Sequence, residues 1–150
     1  MITQTGAKLI LDYFRGESRI FPEIYIGLSS TDPTVTGEGV TEPSAASYAR
    51  VHTSNENPDN GNFFAPAVNE PDGASITNDD RVVFNETYNP DTDTAEDWGE
   101  LRYVCLFGSA TGTDLYAYQL LNAPIHPGAG GETSIATIRP GDITIKLCNP

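Results

Sequence analysis

The apolar residues of this chain stand mostly in short runs that Gly, Pro, Asn and Asp cut apart, and this punctuation limits the fold more than any other feature. Runs of this length, rich in β-branched and aromatic side chains, suit strands rather than buried helices. Residues 24–28, 48–53, 81–84, 101–108, 114–120, 133–138 and 143–147 are the runs that qualify. The fourth and fifth are joined by Ser109-Ala110-Thr111-Gly112-Thr113, a hairpin-length loop with a glycine, and Pro140-Gly141-Asp142 turns the chain between the last two. The pattern predicts a mainly β fold, an antiparallel β-sandwich of about seven short strands, rather than a doubly wound α/β sheet.

Long loops separate these strands. Residues 29–47 carry Asp32-Pro33, Gly37, Gly39 and Pro43 as turn residues. Residues 55–80 are rich in Asn, Asp, Pro and Gly, with Phe63, Phe64 and Val68 as isolated apolar anchors, and read as mostly loop; residues 88–97 return to turn composition. A helix is expected only at the front, where Thr3 or Thr5 can cap, Ala7, Ile10, Leu11 and Phe14 recur at helical spacing, and Gly16 ends the pattern. Its apolar stripe can pack on the domain's own sheet or on a neighbouring subunit. A chain of 150 residues fits a single domain, with 1–20 as the N-terminal helical segment and 21–150 as the sandwich.

Charge narrows the partners. Twenty-one acids against eight bases give a formal net charge of −13, which argues against nucleic acid and anionic membranes as partners. No apolar run approaches the roughly 20 residues that span a bilayer, and Met1 leads into Thr3, Gln4 and Thr5, so neither membrane insertion nor a secretory signal is expected. Cys105 and Cys148 lack metal or redox spacing and are expected reduced and packed in the interior, with a bridge between neighbouring strands as the alternative.

Chemistry-bearing patterns are weak. The segment Asp91-Thr92-Asp93-Thr94-Ala95-Glu96-Asp97 resembles a calcium loop only superficially, since Ala95 takes the third ligand position and Glu96 stands where the turn glycine belongs. It reads as a solvated acidic loop. His52 and His126 are the only histidines and neither lies in a nucleophile-elbow context; Gly128, Gly130 and Gly131 lack the Gly-Lys-Ser/Thr ending of a phosphate loop. No catalytic residue, cofactor or metal site is therefore expected. A hydrolase working through a carboxylate pair stays open because such a pair is defined only in three dimensions. Trp98, Tyr103, Phe107, Tyr116 and Tyr118 can be core residues or a sugar-stacking platform, and alternation groups Tyr103, Cys105 and Phe107 on one face and Tyr116 with Tyr118 on another.

A resemblance runs along nearly the whole chain. It is carried by LILDYFRG at 9–16, YIGLSSTDP at 25–33, GEGVTEPSAASYARV at 37–51, Asp97-Trp98-Gly99-Glu100-Leu101, LFGSATGTDLYAYQLL at 106–121 and PGDITIKL at 140–147. In these segments the sequence resembles the small tail-fibre-type virion proteins of tailed bacteriophages. The resemblance implies a non-enzymatic virion protein, made in the host cytoplasm, whose partners are other virion proteins of tail, collar or baseplate and further copies of itself, with a host surface glycan as a further partner. No internal repeat forms a shaft, and a domain this size has a radius of gyration of about 15 Å, which favours an adaptor, collar or fibre-base role over a complete adhesin. A carbohydrate-binding module is the alternative.

Particular residues carry these expectations. Ile10, Leu11 and Phe14 of the helix, together with Trp98, are the candidate interaction surface. Arg50 is expected to tie the long loop through carbonyls or Glu42, as its planar fork allows. Trp98 is expected to close the edge of the core, with Gly99 letting the backbone pass closely beneath it, and a receptor-facing indole is the sharper alternative.

Overall fold

The alternating apolar stretch that ends in Phe107 and the one that begins at Leu115 fold back on each other through a glycine-bearing loop, and the rest of the chain is arranged around that hairpin. The computed structural model describes residues 1–16, 24–53 and 63–148. In chain order the elements are α1 (Gln4–Phe14), β1 (Ile24–Ser29), β2 (Val51–Thr53), β3 (Val68–Glu70), β4 (Gly73–Thr77), β5 (Val82–Glu86), β6 (Tyr88–Asn89), β7 (Thr94–Ala95), β8 (Leu101–Phe107), β9 (Leu115–Ile125), β10 (Ile135–Ile138) and β11 (Thr144–Cys148). Every named strand pairing is antiparallel.

The largest sheet has the order β2-β1-β8-β9, with Leu28 opposite Val104 and Cys105 opposite Tyr118. A three-stranded sheet β11-β4-β3 and a ribbon β10-β5 supply the facing layer. Ile26, Leu28, Val104 and Leu106 of the large sheet share one core with Val82, Phe84, Ala136, Ile138 and Ile143, so the architecture is sandwich-like. The opposite face of the large sheet also buries side chains: Cys105, Phe107, Leu115 and Tyr118 cluster there with Tyr25, Val40 and Tyr103. The loop after β1 covers this second face. Ser29 holds it, its Oγ donating to Thr31 O at 2.8 Å and accepting from Thr41 N at 2.9 Å. Thr34 N donates to Asp32 Oδ1 at 2.9 Å, closing the Asp32-Pro33 turn.

Several expectations need correction. Within the stretch read as mostly loop, β3 and β4 form a hairpin, and β4 pairs along its whole length with β11. Gly73-Ala74-Ser75-Ile76-Thr77 has little strand propensity of its own, and the alternating partner strand supplies what it lacks. Residues 54–62 of that stretch, like the 17–20 end of the expected helical segment, lie outside the described residues. The acidic turn is likewise not featureless, because β6 and β7 pair across it. The strand expected over 48–53 is confined to Val51–Thr53, since Tyr48 and Arg50 turn toward loop partners instead. β9 continues to Ile125, past the expected limit. The pairing of Cys105 with Tyr118 puts Tyr118 on the Tyr103 face, with ring centroids 6.2 Å apart, and a register shift between Leu106 and Phe107 sets Leu115 rather than Tyr116 opposite Phe107, so Tyr116 stands apart from it. Cys105 is buried as expected, but Cys148 is exposed, the two lie in different sheets, and both are free.

Candidate functional site

Two places gather the residues singled out by sequence. The first is a polar brace on the second face of the large sheet, where the long loop returns to the strands. Arg50 Nε donates to Glu42 Oε1 at 2.9 Å and its NH2 to Glu42 Oε2 at 2.6 Å, a two-pronged pair. Its NH1 donates to Ser109 O at 2.9 Å and Gly112 O at 2.8 Å in the β8–β9 loop. The guanidinium carbon lies 3.4 Å from the centre of the Phe107 ring. One side chain thus fastens loop, hairpin and sheet, and it is only 6% exposed.

Tyr48 completes the brace. Its hydroxyl accepts from Leu28 N at 2.9 Å and donates to Glu42 Oε1 at 2.7 Å. Burial first, then the Glu42 charge, pushes the Tyr48 phenol far above its ordinary range, so it stays a hydrogen-bond donor. Gly27 makes room for all of this: a Cβ there would come 2.8 Å from Phe107 and 2.9 Å from Glu42 Oε1. An interior strand glycine often marks a close approach, so Gly27 within the 24–28 run is a signal that sequence reasoning left unused.

Trp98 borders the same region from the main core. It is 4% exposed, and its indole Nε1 donates to Ser47 Oγ at 2.9 Å. The ring packs edge-on against Tyr48 at 5.2 Å and Phe84 at 6.4 Å. Gly99 is needed for a different reason from the one expected. Its φ is +77°, and a Cβ would meet nothing within 4 Å, so the glycine serves a left-handed backbone and not a close passage. Sequence reasoning missed Glu96, whose carboxylate accepts from Ser47 N at 2.7 Å, Ala46 N at 3.3 Å and Asn89 Nδ2 at 3.0 Å. The Ser47 hydroxyl first, then the Ser47 N–H and the Asn89 amide, hold this carboxyl below the usual range. Asp97 Oδ1 lies 2.7 Å from His126 Nε2 and accepts from Gly99 N at 2.7 Å, and these partners, Gly99 first, lower its pKa. The carboxylates of Asp93, Glu96 and Asp97 thus work as separate latches, with Tyr88 donating to Asp93 at 2.5 Å, while at Asp91 the backbone N–H donates to Asn89 Oδ1 at 3.0 Å.

The second place is the outer surface of α1. Thr3 caps the helix, accepting from Gly6 N at 3.2 Å and donating to Leu115 O, and Gly6 is the only buried residue of the helix. The first turn docks on β9, with Thr3 N donating to Tyr116 O at 3.0 Å. Beyond it the apolar stripe is open: Ile10 is half-buried, Leu11 is 68% exposed and Phe14 81% exposed. A cavity of about 640 Å³ lies between this helix and the three-stranded sheet, lined among others by Ile10, Phe14, Phe64, Ile76 and Leu147. Of the four candidate contact residues, the helical three reach the surface or this cavity, and Trp98 does not.

Every polar group of the brace is engaged with another part of the fold, and the rings proposed for sugar stacking are largely internal, with Trp98, Phe107, Tyr116 and Tyr118 all buried. Fold and site together define a mainly β, sandwich-like protein, braced internally and open on one helical face. A family model described as Gp80, podophage GP4 fiber I protein gp80, matches residues 1–146, and the chain belongs to that family. It is a bacteriophage fibre-type virion component. No curated protein matches the chain.

Proposed function

We propose that this protein is a non-enzymatic adaptor or base piece of a tail appendage, made in the host cytoplasm as one domain, and that it joins a neighbouring virion protein or a further copy of itself through the open face of α1. The observation that carries this reading is the exposure of Leu11, Tyr13 and Phe14 on a helix whose first turn is hydrogen-bonded to the sheet. Contiguous apolar surface of this kind marks contact sites in soluble proteins. The brace fits the same role, because Arg50 and Glu42 hold a long loop in one shape without any mobile reactive group.

The test is a Leu11→Ser/Phe14→Ser double variant placed in the phage. Both side chains are exposed, so the purified protein should melt like the parent. Particles should then lack the protein by immunogold labelling and by mass spectrometry. Incorporation at the parental level would sink the assignment of this face, and absence of the parental protein from purified particles would sink the appendage role itself.

A further inference from the structure

The chain carries far more acid than base, yet two arginines among the described residues are left without a carboxylate. Among the described residues Lys8 and Arg15 pair with Asp12, Arg50 with Glu42, Arg102 with Glu100 and Lys146 with Asp72. Arg81 and Arg139 are exposed and make no such pair. The register of the β5–β10 ribbon sets Thr137 opposite Val83 and Ile138 opposite Val82, and the ladder ends there, which leaves Arg139 and Arg81 as the next residues beyond the last pair, one on each chain segment. Asn78 confirms that the backbones stay together there, its Nδ2 donating to Asp80 O at 2.8 Å and to Arg139 O at 2.9 Å. Val82, Phe84, Ala136 and Ile138 point inward, while Arg81, Val83, Ile135, Thr137 and Arg139 are exposed on the outer face. Like charges on paired segments repel rather than support the ladder, and Asp79, Asp80 and Asp142 in the flanking turns form no ion pair with either guanidinium.

Against Arg139 lies a groove of about 380 Å³, lined among others by Thr137, Ser134, His126 and Pro127, and Arg81 stands outside this lining. Its volume is in the lower part of the roughly 300–1,000 Å³ range of small-ligand sites. It offers the Thr137 and Ser134 hydroxyls for hydrogen bonding, while His126 Nε2 is taken by Asp97, and Pro127 and Ile135 are among its apolar lining for the C–H face of a sugar ring. We propose that the outer face of the β5–β10 ribbon binds a carboxylate-bearing saccharide, with Arg139 and Arg81 gripping the carboxylate and the groove holding the adjoining ring. A planar guanidinium fork matches a carboxylate in two bonds, and an unpaired arginine pair on an acidic protein selects an anionic ligand over the neutral sugars that a stacking platform would take. The site uses no residue of α1, so it stands apart from the assembly face.

Titration of the full isotope-labelled chain with trigalacturonate, followed by amide NMR, tests this directly, with neutral galactotriose and inorganic phosphate as the other probes. Trigalacturonate should shift the amides of 81–83 and 135–139. Arg139→Gln should weaken binding by about tenfold or more, as loss of a charged hydrogen bond does, and Thr137→Val, which leaves the charge intact, should weaken it less. Galactotriose should bind at least about tenfold more weakly than the acidic sugar. The proposal is overturned if trigalacturonate shifts nothing in this ribbon, if Arg139→Gln binds like the parent, or if the neutral sugar binds equally. Phosphate binding as tightly as the saccharide would also overturn it, by reducing the site to a bare anion contact. Arg81→Gln and Arg139→Gln chains should enter particles normally, so failure here and failure of the α1 reading give different results.

Discussion

Arg50 and Trp98 show how single residues are priced by what surrounds them. Removing Arg50 leaves the Glu42 carboxylate with the Tyr48 hydroxyl but no cation, and takes the guanidinium donor from the Ser109 and Gly112 carbonyls; breaking one side of a buried pair costs about 3–5 kcal/mol. Arg50→Ala should lose stability of that order in urea, and Arg50→Lys should recover only part, because a lysine cannot span Glu42 and the β8–β9 loop together. A lysine variant as stable as the parent would show that the brace is dispensable. Trp98→Ala should cost a similar 3–5 kcal/mol, the usual range for deleting a buried large aromatic. If instead the purified variant melts normally and fails only in attachment, the indole belongs to a contact surface. The acid limb of stability depends on Glu96 and Asp97. Both carboxyls are depressed in the folded chain, so the native state binds fewer protons than the unfolded one, and their contribution is present above the unfolded values near about 4 and lost as pH falls through the folded values. The melting temperature should therefore fall below about pH 4, and Glu96→Gln should shallow that fall. An unchanged acid limb in the variant would remove Glu96 from the account.

Among the elements, α1 is attached through a narrow contact. Its first turn meets β9 through Thr3 and Gly6, and a Cβ on Gly6 would run into the Tyr116 carbonyl and its neighbouring atoms. Gly6→Ala raises helix propensity, which by itself would stabilise by about 1 kcal/mol, yet here it should lift the helix off the sheet. The expected result is faster amide exchange at Thr3 and in α1, with β8 and β1 protected as before; slower exchange in α1 would mean that propensity wins and the close approach can relax. The strands differ in how far their sequences announced them. β8, β9 and β11 alternate or carry apolar residues at strand spacing, and each was visible from its own residues. β4 was hidden because Gly73-Ala74-Ser75 borrows its strand character from β11, a partner some seventy positions away. The brace was half visible for a similar reason: Arg50 and Glu42 lie close in sequence, while the Ser109 and Gly112 carbonyls are brought to Arg50 only by folding. The β5–β10 arginines were not legible either, since the ladder that they flank joins distant stretches of chain.

At the scale of the whole molecule, the formal charge of −13 and the open face of α1 pull in opposite directions. Apolar contact favours association, and it gains little from added salt within ordinary concentrations. Repulsion between two acidic surfaces, by contrast, reaches about 10 Å at 0.1 M salt and only about 3 Å at 1 M. Self-association of the isolated protein should therefore be weak in dilute buffer and strengthen as salt rises, and a virion partner that supplies positive charge would replace the salt. Light scattering at low and high sodium chloride checks this, with the Leu11→Ser/Phe14→Ser variant expected to stay monomeric at both. Binding at Arg81 and Arg139 should respond with the opposite sign, because screening weakens an attraction between guanidinium and carboxylate. A tight oligomer at low salt that is indifferent to added salt would mean that the contact surface is neither α1 alone nor governed by net charge.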